Sequence, residues 1–233
     1  MKICVFGIPA IPAGKHNLKD ARLDEADRLV EAKKKTYAQV EVADESELVT
    51  SDAIVTNADG FLELIFKDHE FIETRLERDP GAAEKAALLK LKAQLEAERT
   101  VHTAELAPED RQALTIHGFL TSKPVIVASP AEIADPDALM LRAFKESGWI
   151  SFLTVGGKEN RAWPVRAGTT AWDAAGTIHS DIQKGFIRAE IISYADFVEA
   201  GGETEAKRAA KQRLELKTYV MQDFDVVNFR FNK

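Results

Sequence analysis

Four short apolar runs, rich in β-branched residues, constrain the fold of this chain more than any other feature. They are KICVF (2–6), AQVEV (38–42), DAIVT (52–56) and PVIVAS (124–129). Short, continuous apolar runs are typical of strands that are buried on both faces. Helical patterns separate them, for example at 24–35, where apolar residues recur on one side. Strands that alternate with helices predict a mostly parallel sheet with helices packed on it.

A helical composition interrupts this alternation over residues 68–106. Leucines and other apolar residues recur at helical spacing on both sides of Asp79-Pro80-Gly81. Proline followed by glycine breaks a helix and favours a turn, so the segment predicts a helical hairpin. Two interpretations stay open: a solvated antiparallel pair closed on its own leucines, or an arm that docks a partner protein.

A second pattern begins at Trp149. Two strand-like runs flank the turn GGKEN, a helical segment follows, and the last strand-like runs are TYVMQ (218–222) and DVVNFRF (225–231). This order predicts a small mixed sheet of the β-grasp type. The predicted organisation is therefore a reduced α/β core at 1–67 and 107–148, the helical hairpin at 68–106, and a β-grasp domain at 149–233.

Charge divides the chain at nearly the same place. Residues 150–233 contain 12 Lys and Arg against 11 Asp and Glu, a net +1, whereas residues 1–149 contain 19 against 27, a net −8. An acidic segment repels phosphate backbones, and a neutral one tolerates them. No apolar run reaches the roughly 20 residues of a membrane span. A single cysteine, Cys4, excludes an internal disulfide, so we expect a cytoplasmic protein that does not act on membranes.

The stretch GIPAIPAGKH (7–16) follows the first apolar run, where a phosphate-binding loop would begin. Such a loop reads G-x-x-x-x-G-K-[ST], and its backbone N–H groups converge on phosphates. Here six residues separate Gly7 from Gly14, and two of them are prolines, which have no N–H to donate. His16 stands where the magnesium-binding hydroxyl belongs. By itself, the stretch is typical of a plain connection.

Several stretches resemble the YchF family of Obg-like ATPases. AAGTIHSDIQKGFIRAE (174–190) and QDFDVVNFRFN (222–232) are similar to that family's TGS domain. DARLDEADRL (20–29) resembles the segment before its third nucleotide motif, and the hairpin resembles its coiled-coil arm. The resemblance is dense after Arg161 and patchy before it. It implies a P-loop-type mostly parallel sheet, a ubiquitin-like TGS domain, and a site for ATP or GTP with magnesium.

The loop departs from the family pattern G-x-P-x-x-G-K-S. Gly7, Pro9, Gly14 and Lys15 correspond to its glycines, proline and lysine, but two residues are inserted between the glycines. His16 replaces the serine hydroxyl. The resemblance therefore implies a remnant of a phosphate loop rather than a working one.

The other nucleotide motifs are altered as well. In VEVADESELV, Asp44 is kept from the family's D-x-x-G, but Glu47 replaces the glycine whose N–H would contact the γ-phosphate. The base-reading N-x-x-E becomes SPAE, in which Ser129 replaces the amide and Glu132 is kept. A glutamate beside a phosphate places like charges together, which is unfavourable. The resemblance thus implies a vestigial nucleotide site formed by Gly7, Gly14, Lys15, Asp44 and Glu132.

A basic stretch near the end, EAKRAAKQRLELK (205–217), has two open interpretations. Its cations fall within two helical turns, and Lys207 and Lys211 share one face of the predicted helix. The first interpretation is a solvated helix balanced by nearby glutamates. The second, implied by the TGS resemblance, is a face that contacts ribosomal RNA. In the second case we expect the RNA or partner contacts to be Lys207, Arg208, Lys211, Arg166 and Arg188.

Two functions follow from these observations. The favoured one is a non-catalytic pseudo-GTPase that needs no cofactor and docks on RNA, on the ribosome or on an associated protein. The alternative is a shortened ATPase or GTPase that keeps weak adenine-nucleotide binding through Lys15 and Glu132, with ATP or GTP and magnesium. The carboxylates form no recognisable acid/base pair and the histidines have no ligand spacing, so we assign no catalytic residue and no metal ligand.

Overall fold

A computed structural model describes residues 1–232. The chain forms two compact units: unit 1 contains residues 1–15 and 41–139, and unit 2 contains residues 16–40 and 140–232. The strands are β1 (Lys2–Phe6), β2 (Gly14–Asn17), β3 (Lys35–Thr36), β4 (Gln39–Ala43), β5 (Ala53–Thr56), β6 (Val125–Val127), β7 (Trp149–Thr154), β8 (Asn160–Arg166), β9 (Phe186–Ile192), β10 (Arg213–Glu215) and β11 (Val226–Phe231).

The longest α-helix of the described residues has 20 residues and lies in unit 1. None of the helices in residues 1–232 is both long enough and apolar enough to cross a membrane. They are α1 (Ala21–Leu29), α2 (Ala58–Glu77), α3 (Ala82–Glu96), α4 (Pro108–Leu114), α5 (Pro130–Ile133), α6 (Pro136–Glu146), α7 (Ala171–Ile178), α8 (Ser180–Lys184), α9 (Tyr194–Ala200) and α10 (Glu203–Arg208).

Unit 1 is built on a five-stranded sheet with the order β2-β4-β1-β5-β6. Strands β2 and β4 each contain one of the three points at which the chain passes from one unit's residue range to the other's. Strand β1 pairs in parallel with β4 and β5, and β5 pairs in parallel with β6. Ile3, Cys4 and Ile54 are completely buried in this sheet. Each of the four apolar runs forms one of these parallel strands, which confirms the predicted α/β architecture.

Helices α2 and α3 pack against each other through their own apolar residues, among them Ile72, Leu88 and Leu91, which are completely buried. They end and begin on either side of residues 79–81, as the Pro-Gly pair predicts, and Asp79 has a left-handed φ of 47°. Helix α2 begins well before residue 68, because the side chain of Asn57 caps its first turn.

Unit 2 is built on a six-stranded mixed sheet with the order β10-β9-β11-β7-β8-β3. Strands β7 and β8 form an antiparallel hairpin, and the last strand, β11, lies parallel to β7 and antiparallel to β9. Helix α7 packs its buried alanines against one face of this sheet. A hairpin, a helix and a central last strand form the arrangement expected of a β-grasp sheet.

Residues 16–40 belong to unit 2, which differs from the predicted grouping with the α/β core. Helix α1 spans Ala21–Leu29 rather than 24–35, since the side-chain amide of Asn160 binds the carbonyl oxygen of Val30 where the helix ends. Strand β3 then pairs in parallel with β8. Residues 140–148 also lie in unit 2. Helix α6 therefore begins in the residue range of unit 1 and ends in that of unit 2.

The basic stretch at 205–217 does not form the predicted helix. Helix α10 ends at Arg208, Ala210 has a φ of 55°, and the chain continues into strand β10. Lys207 and Lys211 therefore do not share a helical face. The run TYVMQ is not a strand either, because within residues 1–232 it forms just an isolated bridge, between Thr170 and Val220.

Candidate functional site

The carboxyl ends of β1 and β4 open onto a cleft of about 630 Å³ in unit 1. Parallel strands place their carboxyl ends at one edge of a sheet, which is where ligands bind in open α/β folds. Among the charged residues that line the cleft, all are acidic. The lining residues are Val5, Gly7, Ile8, Pro9, Ile11, Pro12, Ala13, Ala43, Asp44, Glu45 and Ser46.

The chain that follows Gly7 does not lead into a helix. Ile8 and Ile11 are buried, and the loop continues into strand β2, which contains Gly14 and Lys15. The side chain of Lys15 is exposed and is not among the residues that line the cleft. The N–H groups at a helix N-terminus, which cradle phosphates in working loops, are therefore missing from the chain between residues 8 and 17.

A carboxylate of the protein itself binds the first N–H of the loop. The backbone N–H of Gly7, whose φ is 68°, donates to Glu45 Oε1 at 3.1 Å. On the other side, Asn57 Nδ2 donates to the carbonyl oxygen of Gly7 at 3.1 Å. The loop is thus held by side chains from two neighbouring segments. Sequence reasoning missed Glu45, because the contact joins residues far apart in the chain and no local pattern indicates it.

Asp44 caps the short 3₁₀ turn Glu45–Glu47. Its Oδ1 accepts the backbone N–H of Ser46 at 2.9 Å, and the hydroxyl and the N–H of Ser46 hold the pKa of Asp44 below its usual value. Glu47 points to a different partner, since its Oε2 lies 3.1 Å from Lys2 Nζ. Hydrogen bonds from Thr50 and Lys2 lower the pKa of Glu47. Both carboxylates are therefore ionised and bonded to groups of the protein.

Glu132 serves the start of helix α5. Its Oε2 accepts the backbone N–H of Ser129 at 2.9 Å, and its own N–H donates to the hydroxyl of Ser129, which completes a capping box. Of the five residues predicted for the nucleotide site, the structure brings Gly7 and Asp44 together in the cleft. Gly14, Lys15 and Glu132 do not line it.

The cations near residue 210 in unit 2 each have an acidic partner. Lys207 Nζ lies 2.6 Å from Glu203, and Arg208 lies 3.5 Å from Glu205. Lys211 Nζ donates to Asp196 Oδ1 at 2.9 Å, a hydrogen bond that raises the pKa of Lys211. These pairs are what the interpretation of a balanced, solvated surface expects.

The two arginines predicted outside that stretch lie on the sheet of unit 2. Arg166 stacks over the ring of Trp149, with 4.7 Å between the guanidinium carbon and the ring centre. Arg188 in β9 lies directly opposite Arg230 in β11. The Nε atom of Arg230 also lies 2.7 Å from Glu190 Oε1. Sequence reasoning missed Arg230, although it alternates with buried residues of β11 and so belongs to an exposed face.

Comparisons with known proteins differ in how much of this chain they match and in the sequence identity of the match. A model for the C-terminal domain of YchF GTPases, described as a protein of unknown function (DUF933), matches residues 149–232. The Ribosome-binding ATPase YchF of Bacillus subtilis (strain 168) is 31% identical over 236 residues, which cover 73% of this chain and 64% of that protein. The protein of the same name from Haemophilus influenzae is 56% identical over 82 residues, or 35% of this chain and 23% of that protein.

The chain therefore spans less than two thirds of the length of these relatives. Among solved structures, the YchF GTPase of Schizosaccharomyces pombe has a TM-score of 0.76 and 19% identity, and the match covers 99% of this chain and 97% of that chain. At this identity the match shows a shared fold. It agrees with the α/β architecture predicted for the chain.

Proposed function

The chain belongs to the YchF family of Obg-like ATPases, and we propose that it is a non-catalytic, ribosome- or RNA-binding member. In this proposal the cleft at the carboxyl edge of the unit 1 sheet no longer holds ATP or GTP, and the protein works without a cofactor. The relatives' names supply the partner class, since the curated proteins are called ribosome-binding ATPases.

The observation that carries the proposal is the hydrogen bond from the Gly7 N–H to Glu45. A phosphate group would need this N–H, which the side chain of Glu45 already uses. Asp44 lies in the same cleft, and within residues 1–232 no basic side chain lines it. A triphosphate would therefore meet two carboxylates without a compensating cation, and like charges at close range repel.

The loop itself supports the same conclusion. Pro9 and Pro12 have no N–H to offer, and the chain enters strand β2 where a phosphate loop would enter a helix. Lys15 lies on that strand, outside the lining of the cleft. These residues do not fit a nucleotide with magnesium.

A thermal shift with nucleotide tests the proposal. A ligand present at 100 times its Kd stabilises the folded state by about 2.7 kcal/mol. For a chain of this size that gain would raise the Tm by roughly 5–10 °C. We expect millimolar ATP–magnesium or GTP–magnesium to leave the Tm unchanged, in the wild type and in the matched variant Lys15→Ala. A rise in the wild type that disappears in Lys15→Ala would overturn the proposal and favour the shortened ATPase.

A second measurement addresses the partner. We propose that unit 2, as a TGS-type module, carries the attachment to the ribosome, and that the helical pair α2–α3 is open to a protein partner. We expect the full chain to sediment with purified bacterial ribosomes, to the same extent with and without ATP. A chain that stays in the supernatant at low salt would contradict ribosome binding, and a dependence on ATP would contradict the loss of the nucleotide site.

A further inference from the structure

Two arginines face each other across neighbouring strands in unit 2. Arg188 of β9 and Arg230 of β11 are direct register partners in the antiparallel pair. The residues that alternate with them, Ala189 and Phe229, belong to the buried core on the other face. Both arginines are therefore on the face that points away from the core, and 58% of the Arg230 side chain is exposed.

Placing like charges directly opposite each other costs stability in an antiparallel sheet. One carboxylate compensates this pair: Glu190 Oε1 lies 2.7 Å from Arg230 Nε, and its other oxygen accepts a hydrogen bond from Asn228 at 3.0 Å. Glu203 also attracts the positive charge of Arg230, but it forms its own ion pair with Lys207. In the part of the chain that the structure describes, Arg188 has no ion pair, so the patch keeps an excess of positive charge.

This patch differs from the basic surface near residue 210. There, each of the three cations lies within 3.5 Å of an acidic side chain. Of the two opposed arginines, Arg230 has an acidic partner, because its Nε atom lies 2.7 Å from Glu190 Oε1. Both arginines are exposed, and Arg188 places a second positive charge on the same face.

We infer that Arg188 and Arg230 form a two-arginine clamp for the phosphodiester backbone of RNA. Directly opposed residues have Cβ atoms about 4.5–5.5 Å apart, and guanidinium groups donate in a planar fork that matches phosphate oxygens. A phosphate held between them relieves the repulsion of the pair. Leu214, which is the register partner of Glu190, adds an exposed apolar side chain to the same face. The inference rests on the proposed function and names the surface that it uses.

The test measures binding of a fluorescent 30-nucleotide single-stranded RNA to the full chain at several salt concentrations. The variants are Arg188→Gln, Arg230→Gln and their combination, and the matched control is Arg28→Gln, which removes an exposed arginine from α1 of the same unit. The slope of log K against log salt is negative. We expect it to become shallower by about 0.7 for each clamp arginine that is replaced and by about 1.4 for both, the values for single strands. The control should leave the slope unchanged.

The outcomes separate this inference from the proposed function. A wild type that binds neither RNA nor ribosomes contradicts the proposed function. A wild type that binds, with a double variant of unchanged affinity and slope, overturns the clamp alone. Polyglutamate serves as a competitor without phosphates. If it displaces the labelled RNA as well as unlabelled RNA of the same charge does, the clamp is overturned, because the surface would then be a general anion site.

The Tm of the Arg188→Gln variant distinguishes the clamp from a purely structural role. Replacing an arginine that stabilises the fold would lower the Tm. Since Arg188→Gln removes one of two opposed like charges, we expect its Tm to equal or exceed that of the wild type while its RNA affinity falls. A lower Tm for Arg188→Gln would mean that Arg188 stabilises the fold, and would overturn the clamp.

Discussion

At the scale of single residues, Asp68 is a buried polar side chain that anchors a turn of unit 1. It lies on α2, is 2% exposed, and accepts hydrogen bonds from three donors of the turn at 120–122. Burial raises the pKa of Asp68, and the hydrogen bonds from Thr121 and Leu120 oppose that shift. Two backbone N–H groups of the turn thus have this carboxylate as their acceptor.

We expect Asp68→Asn to destabilise the protein by about 1–3 kcal/mol. The asparagine side chain has one oxygen where aspartate has two. Its NH₂ group would face the backbone N–H of Leu120 or of Thr121, and that N–H would stay buried without an acceptor. Urea denaturation followed by circular dichroism measures the change. Glu70→Gln, an exposed substitution on the same helix, is the matched control and should stay within about 0.5 kcal/mol of the wild type. Equal stabilities of the two variants would contradict the role of Asp68.

Cys4 provides a second test at this scale. Its thiol is completely buried, and burial, together with the charge of Glu45, raises its pKa from 9.0 to about 11. Because the folded pKa lies above the unfolded value, the stability that this group contributes is present below pH 9 and is lost as the pH rises toward 11.

We expect the thiol to react with DTNB at pH 8 at least about 100-fold more slowly in the folded protein than in urea, because the thiolate is the reactive form. Cys4 is the single cysteine of the chain, so the signal has one source. The variant Cys4→Ser should give no colour under either condition. Similar rates with and without urea would show that the thiol is not buried.

At the scale of elements, unit 2 is completed by a segment that lies more than a hundred residues earlier in the chain. Asn160, at the start of β8, is completely buried. Its Nδ2 donates to Asp27 Oδ1 at 2.7 Å and to the carbonyl oxygen of Val30, and its Oδ1 accepts the N–H of Gly156 at 2.8 Å. One side chain thus ties α1, β8 and the turn before β8 together.

We expect Asn160→Asp to destabilise the protein by about 3 kcal/mol or more. The new carboxylate would replace the amide donor, face the carboxylate of Asp27, and leave the carbonyl of Val30 without its donor. Chemical denaturation compares this variant with Asn17→Asp, which changes an exposed asparagine and should cost about 0.5 kcal/mol or less. An equally small change in Asn160→Asp would show that α1 is not held through this side chain.

At the scale of the whole molecule, the distribution of charge limits how the protein can bind RNA. The chain carries a net charge of −7, and its acidic excess lies before residue 150. The cations of α10 and the loop after it are paired with acids. The local excess of positive charge at Arg188 and Arg230 is therefore surrounded by a protein that repels phosphates overall.

From this distribution we expect ribosome binding with a shallow salt dependence. Two phosphate contacts give a slope of log K against log salt of about −1.4 to −1.8. Sedimentation with ribosomes between about 50 and 200 mM KCl measures it. A slope of about −5 would require a basic surface much larger than the arginine pair, and would contradict the charge distribution described above.

Local patterns determined most of the secondary structure. The four apolar runs form strands, and the helical pair turns at Asp79-Pro80-Gly81, because strand burial and chain-breaking residues act within a few positions. The family resemblance is likewise a property of contiguous stretches. The failures are local too: the helix expected at 205–217 ends at Arg208, because Ala210 adopts a left-handed φ that no helix accommodates.

Tertiary structure alone decided which distant groups meet. The carboxylate of Glu45 accepts the N–H of Gly7, 38 positions earlier in the chain. The amide of Asn160 reaches residues of α1 and its end that lie 130 or more positions earlier, and Arg188 pairs with Arg230, 42 positions later. The assignment of residues 16–40 to unit 2 belongs to the same class. Composition and spacing show which residues can ionise or donate, but the register of strands and the packing within each unit decide which partner each one finds. That is why the motifs indicated a nucleotide cleft, while the acid that occupies its first N–H emerged only from the fold.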